Sequence, residues 1–274
     1  IFRSIAAEAE KGDLVFPTHA EVTLRVQRAL DDPDCHMDAA ARLVQADPLL
    51  SARVVAVANS VVFNRSGKSI TDVRVAVARL GFRMVRSLAT ALLMRQMIGS
   101  SPVLAMGREL AAQMWEHTSH VAALSHVIAR RVAHVDPETA FFAGIVHEVG
   151  AFYLLSRAKD FPGLLEGGMA DWEEEGQALV GRAVLKVLAV PEPVVAGIES
   201  YWDGYLALPP VTLGDALLLA DELAPVESPF RRLANESREG VEAKIDMAIG
   251  EESLTAILGE AAGEMASLTQ ALRF

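Results

Sequence analysis

The stretch between Asp47 and Gly81 constrains the fold most, because it carries the start and stop signals of two short helices in succession. Asp47 is a suitable N-cap, and Pro48 follows at the first helical position, where its missing N–H costs nothing. Apolar residues then recur at helical spacing, and a polar loop with a glycine separates them from a second apolar helix. We expect Ser69 or Thr71 to cap this second helix and Gly81 to end it.

The rest of the chain shows the same helical pattern and no pattern of strands. No segment alternates apolar and polar residues long enough to demand a β-strand. Of the 274 residues, 51% are apolar and only 6% aromatic, which favours close-packed helices. We therefore predict an all-α fold of two packed helical sub-bundles. Residues 99–102, Gly-Ser-Ser-Pro, form the best internal boundary. The sub-bundles then span residues 1–100 and 101–225, and a helical extension over 226–274 packs on one of them or extends to a partner.

One apolar segment combines a helical pattern with ionisable residues. We expect a single helix from Pro137 through Glu148 towards Ser156. Gly144 and Gly150 flank the histidine–glutamate pair of this segment, and we interpret them as positions where helices cross closely.

Composition excludes several classes of protein. The single cysteine, Cys35, excludes an intrachain disulfide and a cysteine-based zinc site, and it favours a reducing cytoplasm. The N-terminal residues contain no long apolar run, and the most apolar window, residues 139–155, is too short to span a membrane, so we expect neither a signal peptide nor a membrane anchor. The net charge of −11 argues against DNA as a partner. Nucleophile-elbow, phosphate-loop and dinucleotide-binding motifs are absent.

Positive charge is concentrated in one stretch of this acidic chain. Residues 65–95 contain seven basic residues and one acidic residue, a net charge of +6. A basic face on an acidic body is a candidate docking surface for an anionic partner, although arginines also commonly solvate exposed helix faces. Two residues of the candidate face, Asn59 and Ser60, have the alternative role of capping a helix end. The candidate partner-binding residues are Asn59, Ser60, Arg65, Lys68, Arg83 and Arg86.

Two consecutive segments, DPLLSARVVAVANS and ITDVRVAVARLG, resemble the central signature of the HDOD family. Members of this family are bacterial output modules distantly related to HD-type metal phosphohydrolases. Phe16 and Pro17 and the turn at residues 32–34 match the beginning of the family pattern. The segments WEH at residues 115–117 and AGIVHEVG at 143–150 match its second half. The resemblance implies that the second sub-bundle is a degenerate HD-type bundle.

An HD-type phosphohydrolase brings histidine and aspartate side chains together around one or two metal ions, which activate water and offset phosphate charge. The resemblance assigns glutamate to a position where the active enzymes carry aspartate, and glutamine, tyrosine and tryptophan to positions where further histidines are expected. Glutamate can ligate a metal through a longer arm, whereas the other three are poor ligands. The positions concerned are His117, His147, Glu148, Gln177, Tyr201 and Trp202.

The resemblance implies a non-catalytic regulatory or scaffold module in bacterial signal transduction, which binds a protein partner or a nucleotide and needs no cofactor or metal. In this interpretation His117 and His147 are core histidines that hydrogen-bond to each other or to backbone carbonyls. One alternative is a divergent metal-dependent phosphohydrolase that uses His117, His147 and Glu148. Another is a nucleotide or cyclic-dinucleotide sensor in which Arg83 and Arg86 pair with phosphates.

Overall fold

The computed structural model of the protein describes residues 1–11, 20–99, 105–158, 160–161, 164, 176–204, 206–229 and 254–273. Within these ranges the chain is helical and contains no β-strand, which confirms the predicted all-α class. A five-residue π-helical turn, Ala129–Ala133, extends the sixth helix. The helices are α1 (Phe2–Glu10), α2 (Ala20–Leu30), α3 (Met37–Gln45), α4 (Pro48–Ala58), α5 (Val73–Gly99), α6 (Ala105–Ile128), α7 (Pro137–Val146), α8 (Val149–Arg157), α9 (Ala178–Val187), α10 (Glu192–Trp202), α11 (Leu213–Leu223), α12 (Leu254–Glu260) and α13 (Ala262–Leu272).

Helix α4 begins as the sequence predicts. The Asp47 carboxylate accepts hydrogen bonds from the backbone N–H groups of Leu49 and Leu50, at 3.0 and 3.1 Å, and Pro48 occupies the first helical position. The second Asp47 oxygen accepts from the Thr23 hydroxyl of α2 at 2.9 Å. The cap therefore satisfies two free helix-end donors and also fixes α4 against α2.

Helix α5 begins one residue later than the predicted caps allow. The Asp72 carboxylate accepts from the backbone N–H of Val75 at 2.9 Å, so Asp72 replaces the predicted Ser69 or Thr71 as the cap. The helix bends at Gly81, which has φ of 75° and ψ of 165°. Glycine tolerates this positive φ because it has no Cβ. The conformation agrees with the helix end predicted there, and a second helical segment follows at once.

A single cluster of buried apolar side chains extends through both predicted sub-bundles. Helix α5 lies at its centre and contacts α2, α3, α4, α7 and α8, while α1 packs on α9. Helix α13 packs against α4 and also against α6, so the described part of the C-terminal extension lies on both halves. The predicted boundary between the sub-bundles stays a prediction, since most of it falls outside the described residues.

The predicted single helix after Pro137 is interrupted. Helix α7 ends at Val146, His147 and Glu148 form a turn, and α8 begins at Val149. We call this turn the elbow. Taken together, Pro137–Arg157 is the one helical run of the described residues that is long and apolar enough to cross a membrane, and 89% of its most apolar window is buried within the fold. That burial fits a helix of the protein core.

Close helix crossings hold the elbow on both sides. A Cβ on Gly144 would lie 2.6 Å from Cα of Ala122 in α6, and a Cβ on Gly150 would lie 2.3 Å from the backbone oxygen of Gln177. Real Cβ atoms do not approach this closely, so only glycine fits at either position. The predicted role of both glycines in close helix packing is confirmed.

Candidate functional site

Three polar side chains from separate elements meet in the core. His117 comes from the middle of α6, His147 from the elbow, and Asp221 from α11. The Nε2 atom of His117 lies 3.0 Å from an Asp221 carboxylate oxygen and 3.3 Å from Nε2 of His147. The two histidines are fully buried, and Asp221 is only 5% exposed. We call these three residues the HHD cluster.

Backbone carbonyls fix the protonation of both rings on their outer side. His117 Nδ1 lies 2.7 Å from the carbonyl oxygen of Val226, and His147 Nδ1 lies 2.8 Å from that of Gly144. A carbonyl can only accept a hydrogen bond, so each Nδ1 carries hydrogen and donates it. The lone-pair positions at the two Nε2 atoms therefore face each other beside the Asp221 carboxylate, and a proton or a metal cation must lie between them.

The pKa values of the two histidines move in opposite directions. Burial by itself lowers the pKa of His117, but the negative charges of Glu148 and Asp221 outweigh it and raise this pKa to about 9. Burial lowers the pKa of His147, and the nearby His117 lowers it further. Without a metal ion, the proton of the cluster therefore resides on His117 as part of an ion pair with Asp221, and His147 is neutral.

The geometry of the HHD cluster also fits a divalent metal ion. The three ligand atoms all lie within 4.8 Å of one another. Metal–ligand bonds of about 2.1 Å place neighbouring ligand atoms about 3.0 Å apart in an octahedral site and about 3.4 Å apart in a tetrahedral one. The observed separations of 3.0 and 3.3 Å fall within this interval. The two carbonyl partners of the Nδ1 atoms supply the orienting contacts that metal-bound histidines usually have.

Glu148 lies beside the HHD cluster but does not belong to it. One of its carboxylate oxygens accepts a hydrogen bond of 2.5 Å from the Ser228 hydroxyl. The other oxygen, Oε2, has no hydrogen-bond partner among the residues that the structure describes, although Glu148 is only 2% exposed. The carboxylate therefore contributes negative charge to the histidines, while its one observed hydrogen bond goes to Ser228.

The segment after α11 closes over this part of the core. We call residues 224–228 the strap. Its Val226 carbonyl contacts His117, its Ser228 hydroxyl contacts Glu148, and its Glu227 carbonyl accepts from the Gln113 side chain of α6 at 3.1 Å. These contacts attach the strap to α6 and to the elbow.

The remaining residues that the resemblance assigns to the site pack around the elbow without joining the HHD cluster. The Tyr201 ring meets the His147 ring edge to face, with centroids 5.5 Å apart. The Trp202 ring lies against Gly181 and beneath the guanidinium of Arg182, 5.3 Å from its centroid. Gln177 presents its backbone oxygen to Gly150 and is 8% exposed.

Sequence reasoning did not single out Asp221, the carboxylate that completes the cluster. A weak local signal was present, because Asp221 interrupts the apolar run LLLADEL of a helix that is otherwise buried on one side. An acid at a core-facing position requires a partner. The partner itself, His117, lies more than a hundred residues earlier, and no local pattern connects the two.

The six residues of the predicted basic face differ in their surroundings: two serve the loop internally, two arginines form ion pairs, and two cations are exposed. The Asn59 side chain bonds both backbone groups of Ile70, and Ser60 is 3% exposed, so both residues serve the internal structure of the loop. Arg83 pairs with Asp136 and Glu138.

Arg86 pairs with Asp31 at 2.7 Å and donates to the carbonyl of Ala189. Arg83 and Arg86 also line one cavity of about 210 Å³. Arg65 and Lys68 are exposed, and the described residues offer neither of them an ion pair.

These observations define the class as an all-α protein with a buried histidine–histidine–aspartate cluster at a helical elbow. The model of the HDOD domain matches residues 16–193, and the chain belongs to this family. No curated protein matches the chain.

Solved structures share the fold. A protein from Shewanella amazonensis that is provisionally named a metal-dependent phosphohydrolase is 23% identical, with a TM-score of 0.74 over 99% of this chain and 98% of that one. An HDOD domain protein of unknown function from Geobacter sulfurreducens is 23% identical, with a TM-score of 0.58 over 98% and 96%. A provisionally named signal transduction protein from Marinobacter aquaeolei is 17% identical, with a TM-score of 0.54; the match covers 99% of this chain and 64% of that one. At these identities the likeness is one of fold.

Proposed function

We propose that this chain is a non-catalytic regulatory module of bacterial signal transduction, which resides in the cytoplasm and acts by binding another protein. Membership of the HDOD family supports a role in signalling. The observation that carries the non-catalytic part is the closure of the HHD cluster. Its three side chains are at most 5% exposed, which leaves them almost no surface to offer a substrate.

The chemistry of the cluster supports the same proposal. A single proton on His117 balances the Asp221 charge, so the cluster is satisfied as a structural element of the core. A phosphohydrolase needs a water molecule and a phosphate group next to its metal ion. Both would need access to the His117 Nε2 atom, which lies in the buried core.

The loop around Arg65 and Lys68 is the surface that we propose for the partner. Asn59 fixes one side of this loop, and the Asn64 amide donates to the Lys68 carbonyl at 2.8 Å. Gly67 has φ of 68°, which lets the loop turn tightly. The two exposed cations are therefore held on a preformed loop, and preformed surfaces lose less entropy on binding. An acidic surface on the partner would complement them.

The first test is enzymatic. The purified chain is analysed for metal content and assayed for phosphodiesterase and phosphatase activity with added Mn²⁺, Mg²⁺ or Fe²⁺. We expect no turnover with any of the three ions. Turnover that disappears in His147→Ala would overturn the non-catalytic proposal.

A second test addresses the partner surface. Proteins that co-purify with the chain from a bacterial lysate are compared with those of the double variant Arg65→Glu, Lys68→Glu. Arg74→Glu is the matched control, since Arg74 is also exposed and its pair with Asp38 contributes little to stability. We expect the double variant alone to lose the specific partner. Equal retention by all three proteins would exclude this loop as the contact surface.

The geometry also favours a second candidate, a divergent metal-dependent phosphohydrolase, because Asp221 supplies the carboxylate ligand that the sequence had assigned to Glu148. His117, His147 and Asp221 would hold the ion, which when bound would supply Lewis-acid activation of water. The carbonyls of Val226 and Gly144 would orient the two imidazoles. Metal bound at one equivalent and lost in Asp221→Asn, together with turnover, would favour this candidate.

A further inference from the structure

A cavity of about 340 Å³ lies between the C-terminal half of α5, the N-terminal half of α6 and α13. Its apolar wall includes Trp115, whose indole N–H donates to the Leu272 carbonyl at 3.1 Å. The cavity is separate from the HHD cluster and from the loop of Arg65 and Lys68. Its polar lining consists of Arg95, Glu116, Ser119, Thr269 and Arg273.

Arg95 has no counter-charge among the residues that the structure describes. This half-buried side chain makes neither an ion pair nor a hydrogen bond to any residue in the described parts of the chain, and its Nε atom is buried. Burial lowers the pKa of Arg95, and no acid of the described ranges offsets that effect. A buried N–H group without an acceptor is costly to maintain, so the Nε of this half-buried guanidinium points to an acceptor that binds there.

Thr269 provides a second, independent sign of a ligand. This residue of α13 is 4% exposed, and its hydroxyl finds no hydrogen-bond partner within the ranges that the structure describes. Buried hydroxyl groups are nearly always hydrogen-bonded, so an unpartnered one at a cavity wall calls for an explanation. Arg95 and Thr269 belong to different helices, and the cavity is what they share.

The charge of the cavity favours an anion. Arg273 lies at its rim and pairs with Glu116 at 3.4 Å, where both side chains are about half exposed. Since that pair is neutral as a unit, the cavity keeps the net positive charge of Arg95. The fork of a guanidinium matches the oxygen atoms of a phosphate group in two parallel hydrogen bonds, and a threonine hydroxyl adds a third donor.

We propose that this cavity binds a small organic phosphate monoester, with the phosphate between Arg95 and Thr269 and the organic part along the Trp115 wall. A cavity of this size exceeds what a bare phosphate ion fills and lies at the small end of ligand pockets, which suits a molecule of nucleoside monophosphate size. Because the lining comes from α5, α6 and α13, the ligand bridges three helices and strengthens the attachment of α13.

Thermal melting and isothermal titration calorimetry of the full chain test this site with adenosine 5′-monophosphate, inorganic phosphate and adenosine. We expect the monophosphate to raise the melting temperature saturably, phosphate to do so more weakly, and adenosine to have no effect. Equal affinity for phosphate and monophosphate would show that the organic part gains nothing from the Trp115 wall, and it would overturn the monoester as the ligand in favour of the free ion. The absence of any shift with both phosphate compounds at millimolar concentration would overturn the proposal.

Two variants locate the binding. Thr269→Val keeps the side-chain size and removes the hydroxyl, and Arg95→Gln removes the charge. We expect Arg95→Gln to weaken monophosphate binding about tenfold or more, since hydrogen bonds to charged groups are the stronger ones. We expect Arg74→Gln, the same change at an exposed site of α5, to bind as the unaltered chain does. If Arg95→Gln and Thr269→Val both bind with unchanged affinity, the phosphate lies elsewhere and the assignment is wrong.

Discussion

The close crossing of α8 and α9 at Gly150 should make this glycine intolerant of even one methyl group. The Cβ of an alanine would lie 2.3 Å from the Gln177 backbone oxygen and 2.8 Å from the Gly181 nitrogen. Both are backbone atoms, which no rotamer change can move. Restoring a separation of 3.0 Å from the oxygen requires the two helices to part locally by about 0.7 Å.

The free-energy change of Gly150→Ala follows from two opposing effects. Replacing glycine by alanine within a helix normally stabilises a protein by about 0.5–1 kcal/mol. Overpacking against a rigid neighbour costs about 1–3 kcal/mol, and more where backbone must move. We therefore expect the variant to be destabilised by about 1–2 kcal/mol. Urea unfolding followed by far-ultraviolet circular dichroism measures the shift of the midpoint.

Gly259 of α12 offers the matched control, because a Cβ there would meet nothing within 4 Å. Gly259→Ala should leave stability unchanged or raise it by up to about 1 kcal/mol through helix propensity alone. If Gly150→Ala were as stable as Gly259→Ala, the crossing would be looser than the interatomic distances indicate, and the steric argument would be refuted.

Three further changes test individual hydrogen bonds. The Asp215 carboxylate is buried, but four hydrogen bonds from residues 207–212 outweigh burial and hold its pKa below the ordinary 3.8. The stability that Asp215 contributes is therefore complete above that pH and is lost as the pH falls further. Asp215→Asn should cost about 1–3 kcal/mol at pH 7 and progressively less towards pH 3, as measured by urea titrations. Asp47→Ala removes the acceptor of two backbone N–H groups and of the Thr23 hydroxyl, and should lower stability by about 1–2 kcal/mol in the same unfolding assay; an unchanged midpoint would mean that water replaces the cap. Ser228→Ala leaves a buried Glu148 oxygen without its donor and should speed hydrogen exchange along the strap, whereas unchanged exchange would show that Ser228 does not hold it.

The sequence was most informative where a structural effect is local. The cap at Asp47 and the bend at Gly81 follow from side-chain chemistry within a few residues, and both are present as predicted. The start of α5 was less determined, because residues 69, 71 and 72 can all cap a helix and only the packing of α5 decides among them. The elbow at His147 was not predicted, because the glycines on either side of it, Gly144 and Gly150, were interpreted only as close-packing positions.

The candidate site could be predicted only in part, since its members come from distant parts of the chain. The resemblance placed His117 and His147 at one site, and the structure brings their Nε2 atoms to 3.3 Å. It gave no reason to include Asp221, whose importance appears only when α11 packs against α6. Periodicity reports which face of α11 is buried, but not which polar group lies opposite that face.

Glu148 shows how a carboxylate beside His147 can act on the HHD cluster through its charge without being one of its three possible ligands. The Glu148 side chain is one methylene longer than the aspartate of the active enzymes. Its carboxylate is hydrogen-bonded to Ser228 and lies outside the group of three possible ligands. Its charge still acts on the histidines, since it raises the pKa of His117. Removing this carboxylate should therefore lower the pKa of His117 and release the hydrogen bond that holds Ser228 of the strap.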